Sequence, residues 1–187
     1  LKWGRYNPVE AKLYREAAAG LNSALFVGSH IGALAFQLED CFDDVMCIEA
    51  NPATYEILKK NIRLRDLKHK MSAQNIAAYD RSGPISFLCN TENSGGSKIY
   101  PACVDVEYIY DKPRTQMVRG ECLDALFPDQ TFDFILLDVE GGELGAIAGG
   151  QQLIQRSKLF IVEYVPNHVK RVAGKSIREF ADALLNL

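Results

Sequence analysis

Four apolar runs in this chain end in polar residues that could do chemistry. Phe26-Val27 gives way to Gly28-Ser29-His30-Ile31-Gly32, and Ile48 to Glu49-Ala50-Asn51-Pro52. Leu137 gives way to Asp138-Val139-Glu140-Gly141-Gly142-Glu143, and Val162 to Glu163. A glycine-bracketed turn into a helix exposes backbone N–H groups that favour an anionic group, a carboxylate or phosphate. The dinucleotide fingerprint G-x-G-x-x-G needs glycine where this chain has His30 and Ala33, which counts against close approach of a pyrophosphate and so against NAD or FAD. Read alone, the segment is equally a tight turn. Glu49 lies 21 residues after Gly28. An acid at the end of a second strand accepts hydrogen bonds from the ribose hydroxyls of an adenosyl ligand; the plainer reading is a surface acid near a helix start. Asp138, Glu140 and Glu143 put three carboxylates within six residues. Such a cluster is costly unless solvated, paired or used. One of them could act as a general base toward a hydroxyl or amine; holding Mg²⁺ together with Asn167 or Glu163 is the weaker reading.

The elements that must position these residues follow from apolar spacing and end signals. Asn7, Pro8 and Glu10 read as an N-cap, a first helical residue and the close of a capping box. The run 24–27 reads as a buried strand, and a small-residue helix is expected over about 31–39. A strand over 45–48 leads to a helix opened by Asn51 and Pro52, with Ile57, Leu58 and Ile62 on one face. A third strand is expected around 71–77. Then the alternation breaks. A strand over 85–88, a polar loop over 90–98 containing Ser94-Gly95-Gly96-Ser97, and a strand near 104–110 read as an insertion beside the sheet. The loop reads as a substrate lid or a mobile segment. The alternation resumes with a strand over 132–137, a glycine-interrupted helix over about 143–155, and a strand over 159–162. A last helix is opened by Ser176 and Glu179, with Ile177, Phe180, Ala181 and Leu184 on one face. The β-α-β-α-β order predicts a parallel sheet with helices on both faces. Ligands bind outside the carboxyl ends of such strands, where all four polar segments fall.

Composition narrows the field. The 187 residues suit one domain. A net charge of −3 demands neither nucleic acid nor an anionic membrane as partner. No apolar run reaches the length of a membrane span. The five cysteines include no C-x-x-C pair, so neither a disulfide framework nor a zinc site is expected; Cys47 and Cys89 read as core residues, in a reducing, cytoplasmic setting. The basic run from Lys59 to Lys70 reads as a solvated face, with an acidic docking partner as the sharper alternative. Gly174-Lys175-Ser176 is not a phosphate loop, because Val169 occupies its required first glycine. The chain opens on Leu1 rather than Met, as an excerpt of a longer protein would.

In the order and spacing of six segments the chain resembles the FkbM family of S-adenosylmethionine-dependent methyltransferases. The segments are Phe26 to Gly32, Ile48 to Pro52, Asn75 to Ala78, Asn93 to Ser97, Asp138 to Glu143, and Ile161 to Glu163. The resemblance implies a Rossmann-like class I methyltransferase fold: a mostly parallel, doubly wound α/β sheet with a β insertion after the third strand. It further implies S-adenosylmethionine as cofactor and O-methylation of a small molecule or sugar. Carried onto this chain, the cofactor-binding residues are Gly28, Ser29, His30, Gly32, Glu49, Ala50, Asn75, Ala77 and Asp138. Asp138 and Glu140 are the candidate bases, and no resident metal is expected. The chain departs from the family pattern at Phe26, where Asp is usual, at His30, where Asn is usual, and at Leu136, where Lys is common. Such folds also continue into two more strands, so truncation beyond Leu187 is expected. Two other functions stay open on the residues alone, a methyltransferase-fold binding domain without turnover and a nucleotide-dependent oxidoreductase.

Overall fold

The structure, a computed structural model, describes residues 7–102 and 112–187. Its frame is a five-stranded parallel sheet made of β1 (Ser23–Val27), β2 (Asp44–Ile48), β3 (Met71–Gln74), β8 (Phe134–Leu137) and β9 (Leu159–Val162), in the order β3-β2-β1-β8-β9. Ala24 to Val27 and all of β8 are buried, because both faces of a parallel sheet are covered. On one face Phe26 and Leu136 pack with Phe42, Leu58, Ile62 and Phe134. On the other, Leu25, Val27, Ile135 and Leu137 meet Phe127, Ile147 and Leu153. This is the expected Rossmann-like α/β architecture.

The helices follow their end signals unevenly. In α1 (Pro8–Ala17), Asn7 has a left-handed φ of 37° and its amide donates to the Glu10 carboxylate, so its side chain does not cap the helix N–H groups. In α2 (Pro52–Leu64), Asn51 Oδ1 accepts the Ala53 N–H at 3.1 Å. There the buried stripe is Thr54, Leu58 and Ile62, whereas Ile57 is 47% exposed and lies off the face expected of it. The expected helix over 31–39 is absent. Two short 3₁₀ turns, Ala35–Gln37 and Glu39–Cys41, stand in its place. Left-handed φ values at His30 and Gly32 break the run before it, and a Cβ on Gly32 would lie 2.4 Å from the Phe36 ring.

The insertion forms its own sheet. β4 (Ala77–Ala78), β5 (Gly83–Cys89), β6 (Lys98–Ile99) and β7 (Arg114–Glu121) take the order β4-β7-β5-β6 around Ala77, Ile85, Phe87, Cys89 and Val118. The third strand thus stops at Gln74 rather than 77, and Ala77 and Ala78 pair in parallel with β7. The strand expected near 104–110 lies outside the described residues. β7 has no apolar signature in the sequence because Val118 and Gly120 are its only buried residues.

Beyond α3 (Leu123–Leu126), the expected helix over 143–155 is two: α4 (Glu143–Ala148) and α5 (Gln151–Gln155). A Cβ on Gly149 would lie 1.9 Å from the Tyr79 carbonyl oxygen, so the chain bends there around Tyr79. α6 (Pro166–His168) runs into a π turn, Val169–Ala173. α7 (Ile177–Leu185) carries the full Ser176–Glu179 capping box; Phe180 is buried, while Ile177 and Ala181 face outward. Among the described residues, Cys41, Cys47, Cys89 and Cys122 are free thiols, and no helix is long and apolar enough to cross a membrane.

Candidate functional site

The ends of β1, β2 and β8 open into one cavity, closed on its far side by the insertion. Its walls include Gly28, Ser29, His30, Glu49, Ala50, Asp138 and Glu140 from the strand ends. Ile76, Ala77, Ala78 and Phe87 add an apolar slot, and Ser94, Gly95 and Ser97 close over it. Two residues expected at the site stand behind it instead. Asn75 donates from Nδ2 to the carbonyls of Glu49 (2.8 Å) and Ala50 (3.0 Å), and Gly32 packs against Phe36 and Leu58. Both shape the wall without lining it.

Glu49 is the central side chain. It is 7% exposed, and its two oxygens accept N–H groups from His30 and Asn51, each at 2.8 Å. Burial pushes its carboxyl up to about 7, against the opposing pull of those two N–H groups. Each oxygen keeps a lone pair for a further donor. The plainer reading of a surface acid does not hold.

The glycine turn works differently from its sequence reading. Gly28 sits at φ +87°, and a Cβ there would lie 1.6 Å from the Asp138 carbonyl oxygen. It is glycine because β1 and β8 touch at this point. The Gly28 and Ser29 N–H groups both donate to the Ile48 carbonyl at 2.9 Å, and that of His30 to Glu49. These three amides are therefore committed within the protein and are not presented to an anion.

His30 joins the turn to the insertion, with Nε2 2.8 Å from Ser94 Oγ, and burial lowers its affinity for a proton. The 94–97 segment is stitched in place: Ser97 Oγ accepts from Asn90 N and Asn51 Nδ2 at 3.1 Å and donates to the Ser94 carbonyl. It is a wall of the cavity.

The three carboxylates after β8 divide. Glu143 is 2% exposed, and its Oε1 accepts the N–H groups of Val139 (3.2 Å) and Gly141 (3.0 Å). It pins the loop. Asp138 and Glu140 line the cavity. Burial raises the Asp138 carboxyl well above the usual range, reinforced by the charge of Glu163 and by a hydrogen bond between the two. Glu140 has an unusual φ of +56°. Burial pushes its carboxyl up to about 7, Lys98 draws it back, and Glu163 and Glu143 add to the rise. Both acids are tuned toward accepting a proton near neutral pH. Among the described residues no three such side chains converge to hold a metal ion.

Two neighbours escaped the sequence reading. Lys98 is buried beside Glu140, and His168 Nδ1 lies 3.2 Å from Glu140 Oε2. No local pattern marks either, since both reach the site from distant segments. Within the basic run from Lys59 to Lys70, Lys59 pairs with Glu56 at 2.7 Å, Arg65 with Glu39 at 3.3 Å, and Lys70 with the Glu39 and Phe42 carbonyls, while Lys60, Arg63 and Lys68 are exposed, as a solvated face would be.

The departures from the family pattern are also legible. Phe26 and Leu136 are direct register partners in β1 and β8 and pack into one core cluster. Phe26 packs at a tilt against Phe134 and edge-on against Phe42, at ring-centroid distances of 5.7 and 6.3 Å.

Comparisons with known proteins agree with this fold. The profile of the methyltransferase FkbM domain matches residues 27–186. A methyltransferase FkbM from Methylobacillus flagellatus KT is similar, with a TM-score of 0.52 and 17% identity over 76% of this chain and 32% of that one; the chain thus spans about a third of that protein's length. Precorrin 8W decarboxylase from Methanobacterium thermoautotrophicum aligns with a TM-score of 0.56 and 15% identity over 96% of this chain and 70% of that one. A putative caffeoyl-CoA O-methyltransferase from Staphylococcus aureus aligns with a TM-score of 0.53 and 13% identity over 94% of this chain and 67% of that one. At such identities these neighbours speak for the fold. No curated protein matches the chain. The profile match spans most of the sequence, and the chain belongs to the FkbM methyltransferase family.

Proposed function

We propose that this domain binds S-adenosylmethionine and transfers its methyl group to a hydroxyl of a small molecule or sugar. The observation that carries the reading is Glu49, a buried carboxylate fixed by two backbone N–H groups at the end of β2 with acceptor capacity left on each oxygen. That is what the adjacent hydroxyls of a ribose require. The apolar slot of Ile76, Ala77 and Ala78 suits an adenine. The residues present therefore fit the nucleoside part of the cofactor. They also argue against a pyrophosphate ligand, because the turn amides are spent on Ile48 and Glu49.

When bound, S-adenosylmethionine supplies a methyl group already activated by its sulfonium. The protein's work is then alignment and proton removal. Glu49 holds the ribose, and the Ser94–Ser97 wall confines the acceptor. Asp138 or Glu140 would take the proton of the acceptor hydroxyl, whose oxygen would receive the methyl group as the sulfonium leaves as a neutral thioether. The free thiols suit a reducing compartment such as the cytoplasm.

A second reading is a binding domain without turnover. The apolar Phe26–Leu136 pair favours it, since nothing charged remains at those two positions. Calorimetric titration with S-adenosylmethionine and S-adenosylhomocysteine tests both. Micromolar affinity that Glu49→Ala lowers at least tenfold is expected. Absence of binding to the folded protein at millimolar ligand defeats the proposal. Binding without transfer to any acceptor in a screen of hydroxyl compounds favours the second reading.

A further inference from the structure

The cavity has two apolar ends. One is the slot of Ile76, Ala77 and Ala78, which follows β3. The other is a wall of Phe26, Leu34, Ala35 and Leu136, which line the cavity and belong to or pack against one core cluster. The sheet order β3-β2-β1-β8 sets Glu49, after β2, beside the slot and Asp138, after β8, on the far side of β1. Phe26 and Leu136 span β1 and β8 as register partners. Side chains alternate between the faces of a strand. Asp138 comes two residues after Leu136, and its N–H extends the ladder to the Val27 carbonyl at 2.9 Å. Its carboxyl therefore stands on the same face as the apolar wall. Over 31–39, where the sequence suggests a helix, the short 3₁₀ turn Ala35–Gln37 brings Leu34 and Ala35 to that wall.

The hydroxyls nearby are already engaged. Ser29 Oγ donates to the Phe26 carbonyl and Ser97 Oγ to the Ser94 carbonyl, each at 2.8 Å, and Ser94 Oγ lies 2.8 Å from His30 Nε2. The four side chains of the wall carry no polar atom. A sugar pressed against them would bury hydroxyls without partners, which is costly. An alkyl or aryl group leaves water there at a gain.

We infer that the Phe26–Leu136 wall seats the carbon skeleton of the methyl acceptor, and that the acceptor is an apolar alcohol rather than a sugar, its hydroxyl turned to Asp138. The inference rests on the proposed methyl transfer and narrows its acceptor. The nucleoside takes the slot and Glu49, which leaves the wall to a second ligand. In the step, the hydroxyl proton passes to a cavity carboxylate, the oxygen gains the methyl group, and the sulfonium leaves as a neutral thioether.

Butanol, hexanol and octanol test the seat, with methyl glucoside as the sugar. Each is titrated into protein saturated with S-adenosylhomocysteine and followed by methyl NMR. Nuclear Overhauser contacts between the alkyl chain and the Leu34 and Leu136 methyls are expected, with affinity rising about twofold or more per added methylene. Methyl glucoside is expected to give no contact at the same concentrations. Ala35→Leu narrows the space before the wall and is expected to weaken octanol binding about fivefold or more; if that variant does not fold, the wild-type series decides alone. Alcohols without contacts at Leu34 and Leu136, affinity that does not grow with chain length, or tighter binding of methyl glucoside overturns the inference, and the bound S-adenosylhomocysteine in the same samples leaves the cofactor reading intact. Alcohol contacts that S-adenosylhomocysteine abolishes assign the wall to the cofactor's own arm and overturn the inference as well. If S-adenosylhomocysteine does not bind, the cofactor reading fails instead, and the alcohol series on the free protein still decides what the wall seats.

Discussion

Replacing Glu49 with Gln should change how the stability of this domain depends on pH. The carboxyl titrates near 7 in the folded protein against an ordinary 4.5, because burial outweighs the two N–H groups it accepts. The folded state therefore keeps this proton when the unfolded chain has lost it. A carboxyl raised in this way contributes stability that is fully present below pH 4.5 and is lost as pH rises through 7. At about 1.4 kcal/mol per pH unit, the full loss is about 3 kcal/mol. The amide introduced by Glu49→Gln cannot ionise, so the variant lacks this slope. It carries a different cost, because only its amide oxygen can accept, and the N–H of His30 or Asn51 faces an amide donor instead. That costs about 1–2 kcal/mol. Urea unfolding at pH 5 and pH 8.5 should show wild type more stable at the acid end and the variant level with it or ahead at the alkaline end, with unchanged m-values. Asp138 and Glu140 are raised as well, so wild type loses more than Glu49 alone accounts for; the difference between the two proteins isolates this residue. An equal loss in both proteins between pH 5 and 8.5 refutes the reasoning. The same titration governs the ligand: ionised Glu49 is the better acceptor for ribose hydroxyls, so S-adenosylhomocysteine affinity should rise about tenfold between pH 6 and 8.

Gly28→Ala places a methyl group 1.6 Å from the Asp138 carbonyl oxygen at φ +87°. A loss of about 3 kcal/mol or more is expected, read as a melting temperature lowered by about 6–12 °C; a change under about 2 °C contradicts the close approach of β1 and β8. Phe26→Asp buries a carboxylate among Phe42, Phe134 and Leu136 and should cost about 3–5 kcal/mol. Adding Leu136→Lys, directly opposite in register, should return at least about 1 kcal/mol in a double-mutant cycle, and zero coupling refutes the pairing. Glu143→Ala removes the one oxygen that accepts both the Val139 and the Gly141 N–H groups. It should cost about 1–2 kcal/mol and speed hydrogen exchange at those two amides, whereas unchanged exchange counts against the loop-pinning role.

The strands that carry the site were legible because burial on both faces leaves a continuous apolar run, as in 24–27 and 134–137. The acid at the end of β2 was legible for a related reason: its spacing from Gly28 reflects one βαβ unit. Elements whose form depends on a neighbour were not. The segment 31–39 has small residues enough for a helix, yet Phe36 and Leu58 occupy the space around Gly32 and the chain tightens into 3₁₀ turns. The helix after β8 bends at Gly149 because the Tyr79 carbonyl is there, 70 positions earlier in the chain. β7 hides because its pairing is with β5 and β4, while its own residues are mostly exposed.

The site divides along the same line. The sequence marks residues that sit at strand ends, and those after β1, β2 and β8 supply Gly28, Glu49, Asp138 and Glu140 to the cavity, while Glu163 after β9 stays outside its lining. It marks neither the partner of a residue nor the use of a backbone group. The Gly28 and Ser29 amides look available in the sequence and are consumed by the Ile48 carbonyl. Glu143 looks like a third acid and acts as a clamp on the loop that presents Glu140. Phe26 and Leu136, 110 positions apart, look like two separate departures from the family pattern. In the sheet they are one contact. A lone charge at either position would be buried against the apolar partner and uncompensated, so replacing both by apolar residues keeps this face of the sheet neutral and packed. The stability of β1 and β8 is thereby kept while the polarity of the cavity floor is changed. The two departures bear on what the cavity holds rather than on whether the domain folds.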